Sequence, residues 1–245
     1  MIIDRTEHSG WLSNAYLIAD KVGGHGVLMD GNGEIDPLLR RIERDNIRIT
    51  HVLLTHEDID HIVDVEQLRE RFDVPLVASS TSAAQLSFNA DETIEDGESI
   101  RSGELEIRAI ATPGHTPGHL AYLVDGTDCF TADCLFKGTV GGTRGRGAIF
   151  DSHRVSIMDR LITLPPETRI HPGHCEPSTI AAEHENNVFV RVWRGADPPS
   201  DEACTVRDED ATLLRWGPDY DGTRKAWVRF ASGEEAVVGG SQVER

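Results

Sequence analysis

The sequence predicts an α+β protein of layered sheets and helices with a small β appendage at its end. Three observations lead there. Short apolar runs alternate with stretches of helical periodicity over the first 190 residues. The runs at 49–54, 105–111 and 168–170 are each followed by a polar loop carrying His, and the run at 128–131 leads into Asp133. Past Arg194 the texture changes to Pro, Asp and Glu, followed by short strand-like runs. At 245 residues the chain exceeds the usual domain size but not the range of single α/β domains, so a main domain over 1–195 and an appendage over 200–245 are expected.

Residues 14–19 and 26–30 are apolar enough for strands. Asp36-Pro37 then offers an N-cap and a proline at the first helical position, with Leu38, Leu39 and Ile42 on one face. Residues 49–54 form a continuous apolar run, the pattern of a strand buried on both faces, and stop at Thr55-His56-Glu57-Asp58-Ile59-Asp60-His61. Ile62, Val65, Leu68 and Phe72 recur at near-helical spacing, and a strand over 75–78 follows. The same grammar returns at 105–111, which ends in Thr112 to His119, at 121–124, and at 128–131, which runs into Ala132-Asp133. A helix over 155–164, a strand over 168–170, a loop at Pro172-Gly173-His174 and a helix from 178 to about 190 complete the main domain. Residues 211–216, 225–230 and 235–238 look like three strands joined by Asp-Gly and Ser-Gly turns. An appendage of this size is near the lower limit for folding alone and is expected to pack on the rest.

Composition narrows the function classes. The net charge of −18 repels phosphate backbones and anionic lipid surfaces, so nucleic-acid and membrane partners are not expected. No run approaches the ~20 apolar residues of a membrane-spanning helix, and Met1 to Arg5 lacks the features of a secretory signal, so a cytoplasmic location is expected. Cys129, Cys134, Cys175 and Cys204 show no C-x-x-C spacing and are expected to be reduced thiols.

The chemistry resides in the polar loops. His56, Asp58, Asp60, His61, His115, Asp133 and His174 offer the carboxylates and imidazoles a hard Lewis-acid site needs, in enough number for two metals. Four of the seven fall within six residues, too dense for an ordinary solvated loop. His8, His25, His51, His153, His171 and His184 are expected to be surface, turn or packing residues, while His119 stands between that reading and one of supporting a ligand. No G-x-S-x-G elbow points to a protein nucleophile.

These motifs resemble the metallo-β-lactamase superfamily, and within it the hydroxyacylglutathione hydrolase (glyoxalase II)-like branch, over about residues 11–190. Thr55 to His61 is similar to the family's T-H-x-H-x-D-H loop, except that Asp58 stands where a His is usual. Pro113 to His119, Thr131-Ala132-Asp133 and Pro172-Gly173-His174 resemble the later ligand motifs. The resemblance implies a four-layer αββα metallo-β-lactamase-like sandwich with a small C-terminal β appendage. It implies two divalent metal ions, zinc before iron or manganese. His56, Asp58 and His115 would hold one, Asp60, His61 and His174 the other, and Asp133 both. Asp30, at a strand end, resembles the family residue that orients a ligand imidazole.

The implied activity is hydrolysis of a small ester or thioester, with Asp60 or Asp133 moving protons. The substrate expected is a small acyl compound with an anionic part, met by Lys137, Arg144 and Arg146 in the Gly-rich stretch after Asp133. Two alternatives stay open: a mononuclear iron persulfide dioxygenase-like oxidoreductase and a non-catalytic metal-binding interaction protein. All seven candidate ligands precede residue 200, so the appendage is expected to be dispensable for metal binding. Oligomeric state is not legible.

Overall fold

A computed structural model describes residues 1–145 and 147–245; Arg146, one of the cations expected to bind substrate, lies outside the described residues. The chain forms two compact units. The first contains Met1–Ala111, Gly118–Phe130 and Gly173–Cys175, and the second Thr112–Pro117, Thr131–Pro172 and Glu176–Arg245. Residues 200–245, the expected appendage, fall in the second unit together with residues 131–172.

In the first unit a six-stranded sheet runs in the order Ile2–Glu7, Asn14–Ala19, His25–Met29, Arg48–Leu53, Leu76–Ala78 and Glu92–Thr93. Its first three strands are antiparallel and the rest parallel. A second sheet winds antiparallel through Ser99–Ser102, Leu105–Ala111, Leu120–Val124 and Asp128–Ala132. Every residue of Asn14–Ala19 is buried, as a strand covered on both faces must be. Its alternate residues serve two cores. Ala15, Leu17 and Ala19 pack with Leu38, Ile42, Val65 and Leu68 of the helices Asp36–Asp45 and Val65–Phe72. Tyr16 and Ile18 pack with Ile107, Ala109, Leu120 and Tyr122 of the second sheet. Each of the larger side chains contributes ~1.5 to 3 kcal/mol of burial.

The edge strand Ile2–Glu7 was not expected, because Asp4, Arg5 and Thr6 interrupt its apolar run and most of it is only half-buried. The first helix begins at Asp36 with proline in its first turn; Ile35, not Asp36, is the N-cap. Both helices end at a residue in the left-handed region, Asn46 at φ 49° and Asp73 at φ 51°.

The second unit is built on a five-stranded antiparallel sheet, in the order Glu235–Gly239, Arg224–Phe230, Glu209–Pro218, Glu202–Val206 and Val243–Glu244. Two more strands form than the three expected. Val206, Leu213, Ala226, Val228, Phe230, Ala236 and Val238 make its core. The expected helix over 155–164 starts earlier, as Phe150–Val155, and continues as a π-helical turn, Ser156–Leu161. The expected helix over 178–190 is two helices, Ile180–Asn186 and Val188–Trp193. Asn187 makes the break: its backbone turns extended, and its side chain accepts hydrogen bonds from the amides of Phe189 and Val190 as the second helix's cap. Phe150 and Trp227 stack at 5.8 Å, with Trp193 edge-on to both.

Among the described residues no helix is long and apolar enough to cross a membrane. All four cysteines are thiols, and burial pushes that of Cys129 up to about 12.

One hydrogen bond ties the second sheet to the end of the strand Arg48–Leu53. The fully buried Tyr122 donates its hydroxyl to the Leu54 carbonyl at 3.0 Å, and burial keeps that phenol protonated far above its ordinary range. Tyr122→Phe should leave that carbonyl without this donor and cost roughly 1 to 3 kcal/mol. The thermal midpoint should fall by several degrees, at about 2 to 4 °C per kcal/mol for a chain of this size. An unchanged midpoint by calorimetry would show that the bond contributes nothing.

Candidate metal centre

Asp30 follows the strand His25–Met29 at φ 60°, a left-handed conformation that Asp tolerates better than most residues. It is 3% exposed, and it accepts three hydrogen bonds from one loop. Its Oδ1 accepts from the Thr55 amide at 2.9 Å, while its Oδ2 accepts from the Thr55 hydroxyl at 2.8 Å and from His61 Nδ1 at 2.9 Å. A carboxylate only accepts, so His61 must carry its proton on Nδ1 and present a lone pair on Nε2. The Thr55 hydroxyl, having donated to Asp30, accepts at 3.0 Å from His56 Nδ1, which sets the same tautomer there. One buried carboxylate thus fixes two imidazoles as ligands rather than donors.

The Nε2 atoms of His56, His61 and His174 lie near carboxylates of the Thr55–His61 loop. His61 Nε2 is 3.6 Å and His174 Nε2 3.5 Å from the same Asp60 oxygen, and His56 Nε2 is 3.7 Å from Asp58 Oδ2. Ligand atoms of Asp60, His61 and His174 all lie within 4.8 Å of one another. Donors on one divalent cation, with bonds of about 2.0 to 2.2 Å, stand roughly 3 to 3.5 Å apart, so this set needs only small shifts to close on an ion. His56 and His61 are fully buried and His174 nearly so, whereas the Asp58 side chain is 48% exposed.

His174 is held from the other end of the chain. Ser13 pairs with it as an isolated antiparallel bridge, Asn14 donates its backbone amide to the Gly173 carbonyl at 2.7 Å, and the Asn14 side chain donates to the Cys175 carbonyl at 2.9 Å. Ser13 also donates its hydroxyl to the Asp60 carbonyl at 3.0 Å. Sequence reasoning missed both residues; the available signal was a polar Ser-Asn pair opening a fully buried strand. His119, left open by the sequence, lies with its ring centroid 5.0 Å from that of His56, tilted by 33°, and is 1% exposed.

In the second unit His115 repeats the tautomer device with a backbone acceptor. Its Nδ1 donates to the Gly142 carbonyl at 2.8 Å, and its Nε2 lies 3.6 Å from Asp133 Oδ2. Two glycines permit this. A side chain at Gly141 would lie 1.8 Å from the Asp133 carbonyl, and one at Gly114, whose φ is +139°, would run into the His153 backbone at 2.3 Å.

The segment carrying Gly142 is anchored to the C-terminal sheet. Thr143 and Val237 exchange two hydrogen bonds, at 2.9 and 2.8 Å. Lys225, 5% exposed, donates its ammonium to the Val140 carbonyl at 2.8 Å and pairs with Asp219 at 3.0 Å. The appendage therefore holds the strap that orients His115, and its expected dispensability does not follow from the ligands' positions in sequence.

Of the cations expected to bind substrate, Lys137 is exposed on the turn between Leu135–Phe136 and Thr139–Val140 and does not line the cavity beside His115. Arg144 does line it. Its guanidinium lies over the Phe230 ring at 4.5 Å and 3.5 Å from Glu209.

The model of the metallo-beta-lactamase superfamily matches residues 8–174, which takes in the whole ligand set. The chain belongs to that superfamily. Its fold is accordingly the superfamily's α+β sandwich, here with a five-stranded C-terminal sheet. The chain is 31% identical over 194 residues to a Bacillus velezensis protein named "Probable polyketide biosynthesis zinc-dependent hydrolase BaeB", covering 77% of this chain and 86% of that one. It is 31% identical over 204 residues to a hydroxyacylglutathione hydrolase of Bradyrhizobium, covering 82% and 73%. The crystal structure of TTHA1623 in a di-iron-bound form superposes with a TM-score of 0.64 at 30% identity, covering 76% of this chain and 99% of that one.

Two outcomes follow from the tautomer arrangement. Asp30→Asn keeps the size of the side chain but loses one acceptor, so zinc affinity measured against a competing chelator should fall about 10- to 100-fold. Retention of full affinity by a folded variant would mean that Asp30 does not orient the ligands. Deletion of residues 200–245 should loosen the Gly142 strap, so the truncated chain should lose part of its metal; full metal content in a folded truncation would contradict the anchoring.

Proposed function

We propose that the protein is a dinuclear metal-dependent hydrolase of a small ester or thioester bearing an anionic group. The observation that carries this reading is the shared tautomer of His56, His61 and His115: each donates its Nδ1 proton to a protein acceptor, which makes Nε2 the atom that would ligate. His56, Asp58 and His115 would hold one divalent cation, Asp60, His61 and His174 the other, and Asp133 would contact both. Bound there, the cations supply a water acidified toward neutrality and an electrophile for the substrate carbonyl.

The remaining steps belong to the chain. Asp60 or Asp133 would accept a proton from the attacking water and return it to the leaving group. Asp30 and the Gly142 carbonyl keep the imidazoles in their ligating form throughout. Arg144 is retained as a substrate-binding residue and Lys137 is not, since only the former reaches the cavity beside His115. A zinc-dependent hydrolase and a di-iron form among the similar proteins support a dinuclear site that takes either metal.

The test is metal quantification of the purified protein together with a panel of thioesters, lactones, phosphoesters and β-lactams. Two metal equivalents per chain and preferential turnover of thioesters or esters are expected. A single iron with oxygen consumption on a thiol substrate would replace the reading with an oxidoreductase, and no metal would replace it with a non-catalytic one. Within this reading Asp58 is a ligand: Asp58→Ala should lose about one metal equivalent and most turnover, while Asp58→His should keep two metals with less preference for hard ions such as manganese. Full activity and two metals in Asp58→Ala would remove Asp58 from the set.

A further inference from the structure

A cavity of about 380 Å³ within the second unit has His115 in its wall, and Arg144, Arg207, Gln242 and the backbone at 237–239 form much of the rest. Among the described residues no carboxylate lines it, although acidic residues outnumber basic ones by 42 to 24 in the whole chain. Two arginines facing one cavity without an acid among them, in a protein this acidic, mark a place where a negative charge is received. Arg144 is partly engaged by Glu209 and Phe230. Arg207 pairs with no acidic side chain among the described residues; only its backbone amide is engaged, by the Gln242 carbonyl at 3.1 Å.

The placement of Arg207 is costly in backbone terms. It forms with Asp208 the two-residue turn between Glu202–Val206 and Glu209–Pro218, and both residues have positive φ, 50° and 68°. Such turns favour Asn-Gly or Asp-Gly, and a long side chain with a Cβ at the first position is uncommon. The chain places an arginine where an asparagine would fold more easily.

We propose that Arg207, carried by the C-terminal sheet, acts with Arg144 to bind a carboxylate or similarly charged group of the substrate in the cavity beside His115. That the ligand is a substrate rests on the hydrolase reading; the anion site itself does not. A guanidinium fork matches a planar carboxylate with two parallel hydrogen bonds, and Gln242 supplies a neutral amide on the same wall. The C-terminal sheet thereby selects the substrate as well as holding the strap that orients His115.

The probe is inorganic sulfate, titrated calorimetrically into the metal-loaded full-length protein at low ionic strength. The wild type should bind it, and Arg207→Ala and Arg207→Asn should each weaken binding by roughly tenfold or more. Arg207→Lys should fall between, keeping the charge and losing the fork. Arg207→Asn should also keep or raise the thermal midpoint, because asparagine suits the turn, so lost binding cannot be assigned to lost folding. Kinetics supply the second arm. With the S-acetyl derivatives of N-acetylcysteine, which carries a carboxylate, and N-acetylcysteamine, which does not, Arg207→Asn should raise KM about tenfold for the first alone and leave kcat in place. Absence of sulfate binding by the wild type, or equal sulfate affinity in wild type and both Arg207 variants, would overturn the proposal. Should the wild type hydrolyse neither thioester while Arg207→Asn still loses sulfate, the anion site stands and the hydrolase reading falls.

Discussion

The site depends on one buried carboxylate accepting three hydrogen bonds. Asp30 sits at the end of a strand covered on both sides, and the Thr55 amide, the Thr55 hydroxyl and His61 Nδ1 all converge on it. Burying a charge is unfavourable unless it is well hydrogen-bonded, and here the bonds come from the loop that carries four of the seven candidate ligands. The loop therefore cannot move away without exposing Asp30 to an apolar surrounding. The same geometry dictates where the protons of His56 and His61 reside, so fold stability and ligand chemistry are one requirement.

The second unit meets the need for a tautomer-fixed imidazole differently. His115 donates to a backbone carbonyl, and a carbonyl is only as well placed as the segment bearing it. That segment is fixed by the Thr143–Val237 pair and by the buried ammonium of Lys225, which satisfies the Val140 carbonyl while lying near the rings of Phe136 and Tyr220 and the carboxylate of Asp219. A buried Lys is stable only with such partners. The C-terminal sheet is in this sense part of the chemistry, although it contains none of the candidate ligands.

Much of this was legible in the sequence because ligand-bearing loops sit at the ends of apolar runs, and their order, His-x-Asp-x-Asp-His, then His115, Asp133 and His174, survives without any knowledge of contacts. The parts that were not legible are those decided by tertiary partners. Ile2–Glu7 is half-exposed and mixed in polarity, so no periodicity distinguishes it. Asn187 lies inside a helical pattern and breaks it because its side chain caps the next helix and bonds the Thr139 carbonyl. Ser13 and Asn14 look like a strand's polar lead-in; only the fold shows that they pin Asp60 and His174. Lys137 and Arg144 both follow Asp133 in one Gly-rich stretch, yet Lys137 is exposed on a tight turn while Arg144 lines the cavity beside His115. Arg207 gives no sequence signal at all, since an Arg-Asp turn looks like an ordinary charged surface loop.

The central claim is that a tautomer-fixed ligand set holds two metal ions. Anomalous diffraction from crystals of the metal-loaded protein, collected on either side of the zinc and iron absorption edges, tests it most directly. Two peaks are expected: one ligated by Asp60, His61 and His174, the other by His56, Asp58 and His115, with Asp133 touching both. A single peak, or Asp58 turned to solvent beside a fully occupied pair, would contradict the ligand set proposed here.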